Sequence, residues 1–320
     1  MYTIIKRINL TLSIFLPALL ICSFAYARGH QLADENWYKA QDLEKQGKYI
    51  DAAKMYERSA EAEKASPDPG KSNLATDLNQ AGYYYSLAGQ YNNAVKYLEE
   101  ALTIFKKLGQ EDKVATCLSH LGGIYKSVGN YDGAIEYLEE ALDIDKKLGM
   151  EDKVAIRLNN IGKIYETRGK YDKAIEHLED ALEINKKLGM EADVAIQLNN
   201  IGRVFETQGK YGRAVEYFDR ALSIDRKLEQ DDKISTDLNN IGNIFKSRKQ
   251  YDTAIKYYEN ALAIYRKLGQ EYKVVLQLNN IGGVYETQGK YVKAWKYYEE
   301  AMYTAETVNQ DNNIAIGLAN

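Results

Sequence analysis

One five-residue pattern recurs at a fixed interval of 40 residues: Leu158-Asn159-Asn160-Ile161-Gly162, Leu198-Asn199-Asn200-Ile201-Gly202, Leu238-Asn239-Asn240-Ile241-Gly242 and Leu278-Asn279-Asn280-Ile281-Gly282. Self-similarity at one period means that a single supersecondary unit is stacked on copies of itself. Two looser copies come earlier, Leu78-Asn79-Gln80-Ala81-Gly82 and Leu118-Ser119-His120-Leu121-Gly122, which gives six full units between about Leu74 and Glu306. A divergent unit, about Ala33 to Lys64, precedes them. A chain of 320 residues would ordinarily be read as two domains, but that reading assumes closed cores, which a repeat array does not have.

Each unit is a pair of helices. Val154, Leu158, Ile161 and Tyr165 fall at steps of four, three and four, one stripe of a first helix. After Gly169, a residue that tolerates the left-handed conformation ending a helix, Tyr171, Ala174, Ile175, Leu178, Ala181, Leu182 and Leu188 trace the stripe of a second. Gly149 and Gly189 end second helices in the same way, and only three prolines interrupt the chain. Small residues such as Gly162 and Ala174 let the two helices approach closely. Neither helix covers its stripe alone, so neighbouring units must.

These residues resemble the tetratricopeptide family, whose pattern is met by Leu158, Ile161, Gly162, Tyr165, Ala174 and Leu178. The unit is longer than the family's usual 34 residues and Lys186 stands near the place of its closing proline, so the chain looks like the 40-residue branch of kinesin light chains, LGN-type adaptors and many bacterial arrays. The resemblance implies an all-α, right-handed superhelical solenoid of helix-turn-helix repeats, its inner wall made by the first helices. It also implies, at the level of the family, the binding of a peptide or partner protein. On that wall the second asparagines Asn160, Asn200, Asn240 and Asn280 form a ladder of donors and acceptors suited to a peptide backbone. The alternative is that the asparagines bond neighbouring first helices and keep the repeats in register. Positions that vary between units, among them Lys163, Arg203, Glu166 and Glu206, supply specificity. Lys163 with Glu166 and Arg203 with Glu206 have the spacing of intrahelical ion pairs, the reading preferred over a clamp for a ligand carboxylate.

Residues 1–27 read as a Sec-type signal: Lys6 and Arg7, an apolar run from about Leu10 to Phe24, then Ala25-Tyr26-Ala27, with cleavage before Arg28. Export to the periplasm or beyond the cell follows. An uncleaved anchor is the alternative, although the run is short for a bilayer, and no membrane span is expected after cleavage. Residues 28–70 hold the divergent unit and the Pro67-Asp68-Pro69 linker, 71–310 the six repeats, and 311–320 the start of a further repeat or half of a cap. Loss of Lys6 and Arg7 makes a chain of formal charge −4 more acidic still, which argues against nucleic acid.

Nothing suggests catalysis, a metal or a cofactor. Cys117 and His120 lie one turn apart in a single unit, with no third group to complete a site. Cys117 is expected to be partly exposed and oxidisable between molecules, because Asp77, Arg157, Gln197, Asp237 and Gln277 at equivalent positions are polar. Gly162 and Gly169-Lys170 lack the spacing and the Ser or Thr of a phosphate loop. Three roles remain open: an exported interaction scaffold, the sensing arm of a larger enzyme such as a caspase-like peptidase, kinase or cyclase, and self-association through an unfinished end.

Overall fold

The computed structural model describes residues 31–65 and 71–318, with side chains as far as Thr307. Within them the chain is helical apart from short turns, and contains no strand. Helix α1 (31–45) pairs with α2 (Tyr49–Ala65). The repeats follow as α3 (Lys71–Leu87) with α4 (Tyr91–Leu108), α5 (Glu111–Ser127) with α6 (Tyr131–Lys147), and α7 (Glu151–Thr167) with α8 (Tyr171–Lys187). Then come α9 (Glu191–Thr207) with α10 (Tyr211–Lys227), α11 (Asp231–Ser247) with α12 (Tyr251–Lys267), and α13 (Glu271–Thr287) with α14 (Tyr291–Leu318). The proposed signal, its cleavage site and the Pro67/Pro69 linker lie outside the described residues.

The helices form two compact units that divide inside α7, after Arg157. In the first, α2 to α6 pack in succession; in the second, α8 to α14 do the same. This nearest-neighbour packing is the solenoid arrangement of tetratricopeptide repeats. Among the described residues, no helix is long and apolar enough to cross a membrane.

The glycine of each pentapeptide sets how closely a helix pair closes. A Cβ added at Gly162 would lie 2.9 Å from Leu178 Cγ and 3.2 Å from the carbonyl oxygen of Ala174; at Gly242 it would lie 2.7 Å from the Tyr258 ring. Any side chain here forces the second helix away. Behind this contact sits a dry core: Ile161, Ala174, Leu178 and Ala181 are fully buried, as are Ile241, Ala254, Tyr258 and Ala261. Nearer the turn, one ring from each helix closes the pair, Tyr165 with His177 at 5.3 Å and Phe245 with Tyr257 at 5.4 Å between centroids. The recurring rings at these two positions absorb part of the abundant tyrosine.

The turns are set by backbone, since side-chain N-caps are scarce. Asn130 accepts from the Gly133 amide at 3.1 Å, whereas Lys170, Lys210 and Gln250 make no cap hydrogen bond. Gly109 at φ 66° ends α4: its amide donates to the Lys106 carbonyl at 3.2 Å, and that of Gln110 to the Phe105 carbonyl at 3.1 Å. Left-handed glycines end helices in this way at ten described positions, from Gly47 to Gly289. Two turns break the rule, Glu229 at φ 54° and Lys249 at φ 60°. Both flank α11. Helix α14 carries Asn309 where α12 is followed by Gly269, and runs on unbroken to Leu318.

A non-glycine residue in the left-handed region costs about 1 kcal/mol. Glu229→Gly and Lys249→Gly are therefore each expected to stabilise the chain by about 0.5–1 kcal/mol, and Gly169→Ala to destabilise it by a similar amount. Urea unfolding of the three variants checks this.

Candidate functional site

The asparagine pairs lie on the first helices, just off the buried stripe. Asn160, Asn240 and Asn280 are half-buried, while Asn200 is 6% exposed. Amide bonds run between first helices of successive repeats: Asn200 Nδ2 donates to Asn159 Oδ1 at 2.8 Å, and Asn280 Nδ2 to Asn239 Oδ1 at 3.2 Å. The register reading thus holds for these two pairs, with the first asparagine as acceptor and the second as donor. Asn239 Oδ1 also accepts from Gln277 Nε2 at 2.7 Å. The looser early copy keeps the geometry, Asn79 Oδ1 accepting from Cys117 Sγ at 3.3 Å and lying 3.2 Å from His120 Nδ1.

Arg203 corrects the expected ion pair. It bonds Glu166 of the preceding repeat, Nε to Oε1 at 2.9 Å and Nη2 to Oε2 at 2.8 Å, and not Glu206 of its own helix. A guanidinium that meets a carboxylate edge to edge gains two parallel bonds, which the intrahelical spacing does not offer. That hydrogen-bonding raises the Arg203 pKa, and burial raises that of Glu206. Lys163 is half-buried on α7. The structure brings Arg203 and Glu166 together and ties Asn200 and Asn280 to the repeat before; it does not gather the eight candidates into one spot.

Cys117 also departs from expectation, because it is fully buried and its thiol is pushed up to about 12 by burial. Oxidation between molecules is not supported. The inference from polar equivalents failed because those residues are themselves buried: Asp77, Arg157, Gln197, Asp237 and Gln277 are each at most 7% exposed. They line a polar seam between repeats. Arg157 in this seam donates from Nη1 to Ser119 Oγ at 2.9 Å, and its Nε lies 3.0 Å from Asp145 Oδ2 on α6.

Two repeats later the same two places hold Asp225, 1% exposed, and Asp237, fully buried. Asp237 meets Asp225 and Asn199 in this seam, where the Asn199 amide and the charge of Lys233 only partly offset the burial of the acids. Burial, more than the neighbouring Asp225, raises the Asp237 carboxyl to about 8, and burial raises Asp225 as well. The sequence carries a signal for this seam, polar residues 12 apart at 145/157, 185/197 and 225/237.

With this geometry in view, the family model of the tetratricopeptide repeat matches residues 31–107, 113–187, 193–267 and 232–306. The chain belongs to the tetratricopeptide repeat family. Among solved structures it is similar to BtubC (BKLC) from P. vanneervenii, at 25% identity over 67% of this chain and 91% of that one, with a TM-score of 0.60. It is also similar to the nearly identical repeats of a putative kinesin light chain from Podosopora anserina, 20% identical over 62% of this chain and 98% of that one, TM-score 0.54. The Rap conjugation gene regulator of the plasmid pLS20, solved with the Phr* peptide, is 18% identical over 86% and 74%, TM-score 0.53. No curated protein matches the chain. The last two likenesses speak to fold alone.

The buried acid pair makes stability depend on pH in a defined direction. An unfolded aspartate titrates near 4, so the native state holds a proton that the unfolded chain releases between about pH 4 and 8. The stabilisation is complete below about pH 4 and is lost as pH rises to about 8. Asp237→Gln installs the residue found at 197 and 277. Urea unfolding at pH 5, 7 and 9 is expected to show this variant gaining on wild type as pH rises, by at most about 1.4 kcal/mol per unit; a constant difference would refute a raised Asp237 carboxyl.

Proposed function

We propose that the chain is an exported interaction scaffold whose first helices hold an extended peptide or a segment of a partner protein. The observation that carries this reading is the row of asparagine amides at 40-residue intervals on the first helices, of which Asn160, Asn240 and Asn280 keep part of their surface accessible. Bonds such as Asn200 to Asn159 fix the spacing of the row before any ligand arrives, which lowers the ordering cost of binding. A Rap protein of the same fold has been solved with a peptide, an occupant that suits a face built this way. The basic N-terminal flank, the apolar run and Ala25-Tyr26-Ala27 support export; N-terminal sequencing of the cell-envelope or secreted protein is expected to begin at Arg28.

Asn160→Ala with Asn240→Ala removes two amides from the row and spares Asn200, whose bond holds the repeats in register. Affinity for a bound peptide, measured by calorimetry, is expected to fall about tenfold or more, equivalent to about 1.4 kcal/mol, with the melting temperature unchanged. Unaltered affinity would remove the asparagine row from the binding role.

A further inference from the structure

The repeats do not present equivalent surfaces between their first helices. Between α7 and α9 the space is filled by the ion pair of Glu166 and Arg203, one residue from each helix. In the unit that ends at Arg157, the same two positions are Ser86 on α3 and Gly123 on α5. Ser86 turns its hydroxyl back to its own helix, donating to the Tyr83 carbonyl at 2.7 Å. A Cβ built at Gly123 would meet nothing within 4 Å. Two small residues in place of an ion pair leave a recess of about 250 Å³.

Its walls are specific in chemistry. Tyr83, Leu87, His120 and Ile124 surround the gap, and no Asp, Glu, Lys or Arg is among the described residues that line it. The Tyr83 and His120 rings lie 4.8 Å apart, and His120 is fixed by Asn79 Oδ1 at 3.2 Å from Nδ1. Burial, reinforced by the charge of Arg157, lowers the imidazole to about 4 and keeps it neutral. A charged side chain entering here would lose water and find no counter-charge, whereas an apolar one loses nothing. The other glycine at this position, Gly283, has a different setting, with Tyr298 Oη 3.7 Å and Lys246 Nζ 3.9 Å from its added Cβ.

We propose that the recess over Gly123 is an anchor pocket for one uncharged apolar or aromatic side chain of a peptide lying on α3 and α5. The proposal rests on the binding role inferred for the first helices and adds what these two select. One anchor of leucine or phenylalanine size gives the chain a preference that the asparagine row, which addresses peptide backbone, does not supply.

The test is selection from a displayed library of random peptides on the full chain, with Ser86→Glu/Gly123→Arg as comparison. That double variant copies the Glu166 and Arg203 pair, so it fills the recess with side chains the repeat already accommodates; Gly123→Lys, the residue at 163, serves if the double variant does not fold. Peptides enriched on wild type are expected to share a Leu, Phe, Tyr or Trp at one place. Replacing that residue with Ala, or filling the recess, is expected to cost at least about tenfold in affinity. Enriched peptides without a shared apolar residue, or with equal affinity for the filled variant, would overturn the anchor pocket and leave the binding face intact. Failure to enrich any peptide on wild type would overturn both.

Discussion

The contact between a glycine on each first helix and the side chain opposite on the second is the constraint on which the rest depends. At Gly82, Gly122 and Gly162 the opposing group is a leucine, at Gly202 a phenylalanine, and at Gly242 and Gly282 a tyrosine. The glycine stays while its partner grows, so the helix pair absorbs different volumes without giving up close approach. Once a pair is closed, its remaining apolar surface has no cover except the next pair. Stacking is therefore a consequence of closure, and the polar groups that cross between pairs decide only the register in which stacking occurs.

Those crossing groups explain why the asparagines serve two purposes. An amide has both a carbonyl and an NH₂. Asn239 uses its carbonyl oxygen to hold Gln277 and Asn280 of the next repeat, which leaves the donor side of the same amide uncommitted by those bonds. Register and recognition need not compete for the same atoms. The second residue of each pair divides differently, Asn200 being buried and bonded while Asn160 and Asn240 keep part of their surface accessible.

The helix pairs, their turns and their core stripe were legible in the sequence because each is a local pattern repeated six times, in which Leu158, Ile161 and Gly162 have one role in every copy. What crosses from one repeat to the next was less legible. Arg203 has a carboxylate within reach on its own helix and another 37 residues earlier, and spacing along one helix cannot rank the two. Cys117 is hidden from sequence reasoning for a related reason: polarity at equivalent positions suggests exposure, yet in a stacked array a polar residue is buried against a polar neighbour. Differences between copies, such as Ser86 and Gly123 against Glu166 and Arg203, become meaningful only when the two positions are known to face each other.

Helix α11 shows how local and non-local terms combine. Its sequence keeps the stripe of its siblings, with Ile234, Leu238, Ile241 and Ile244 buried. The turns on both sides are nevertheless held by Glu229 and Lys249 in a conformation that glycine adopts more easily. Its seam residue Asp237 meets a second buried acid, Asp225, where α9 and α13 carry the amides Gln197 and Gln277. Three unfavourable terms fall on one helix, and none falls on α9, which is preceded by Gly189, followed by Gly209 and carries Gln197 in the seam. In an array whose stability is a sum over neighbours, such a helix is held by its contacts with α10 and α12 more than by its own sequence. Opening that begins at α11 breaks the α11–α12 repeat and leaves α9–α10 and α13–α14 each with its own partner helix.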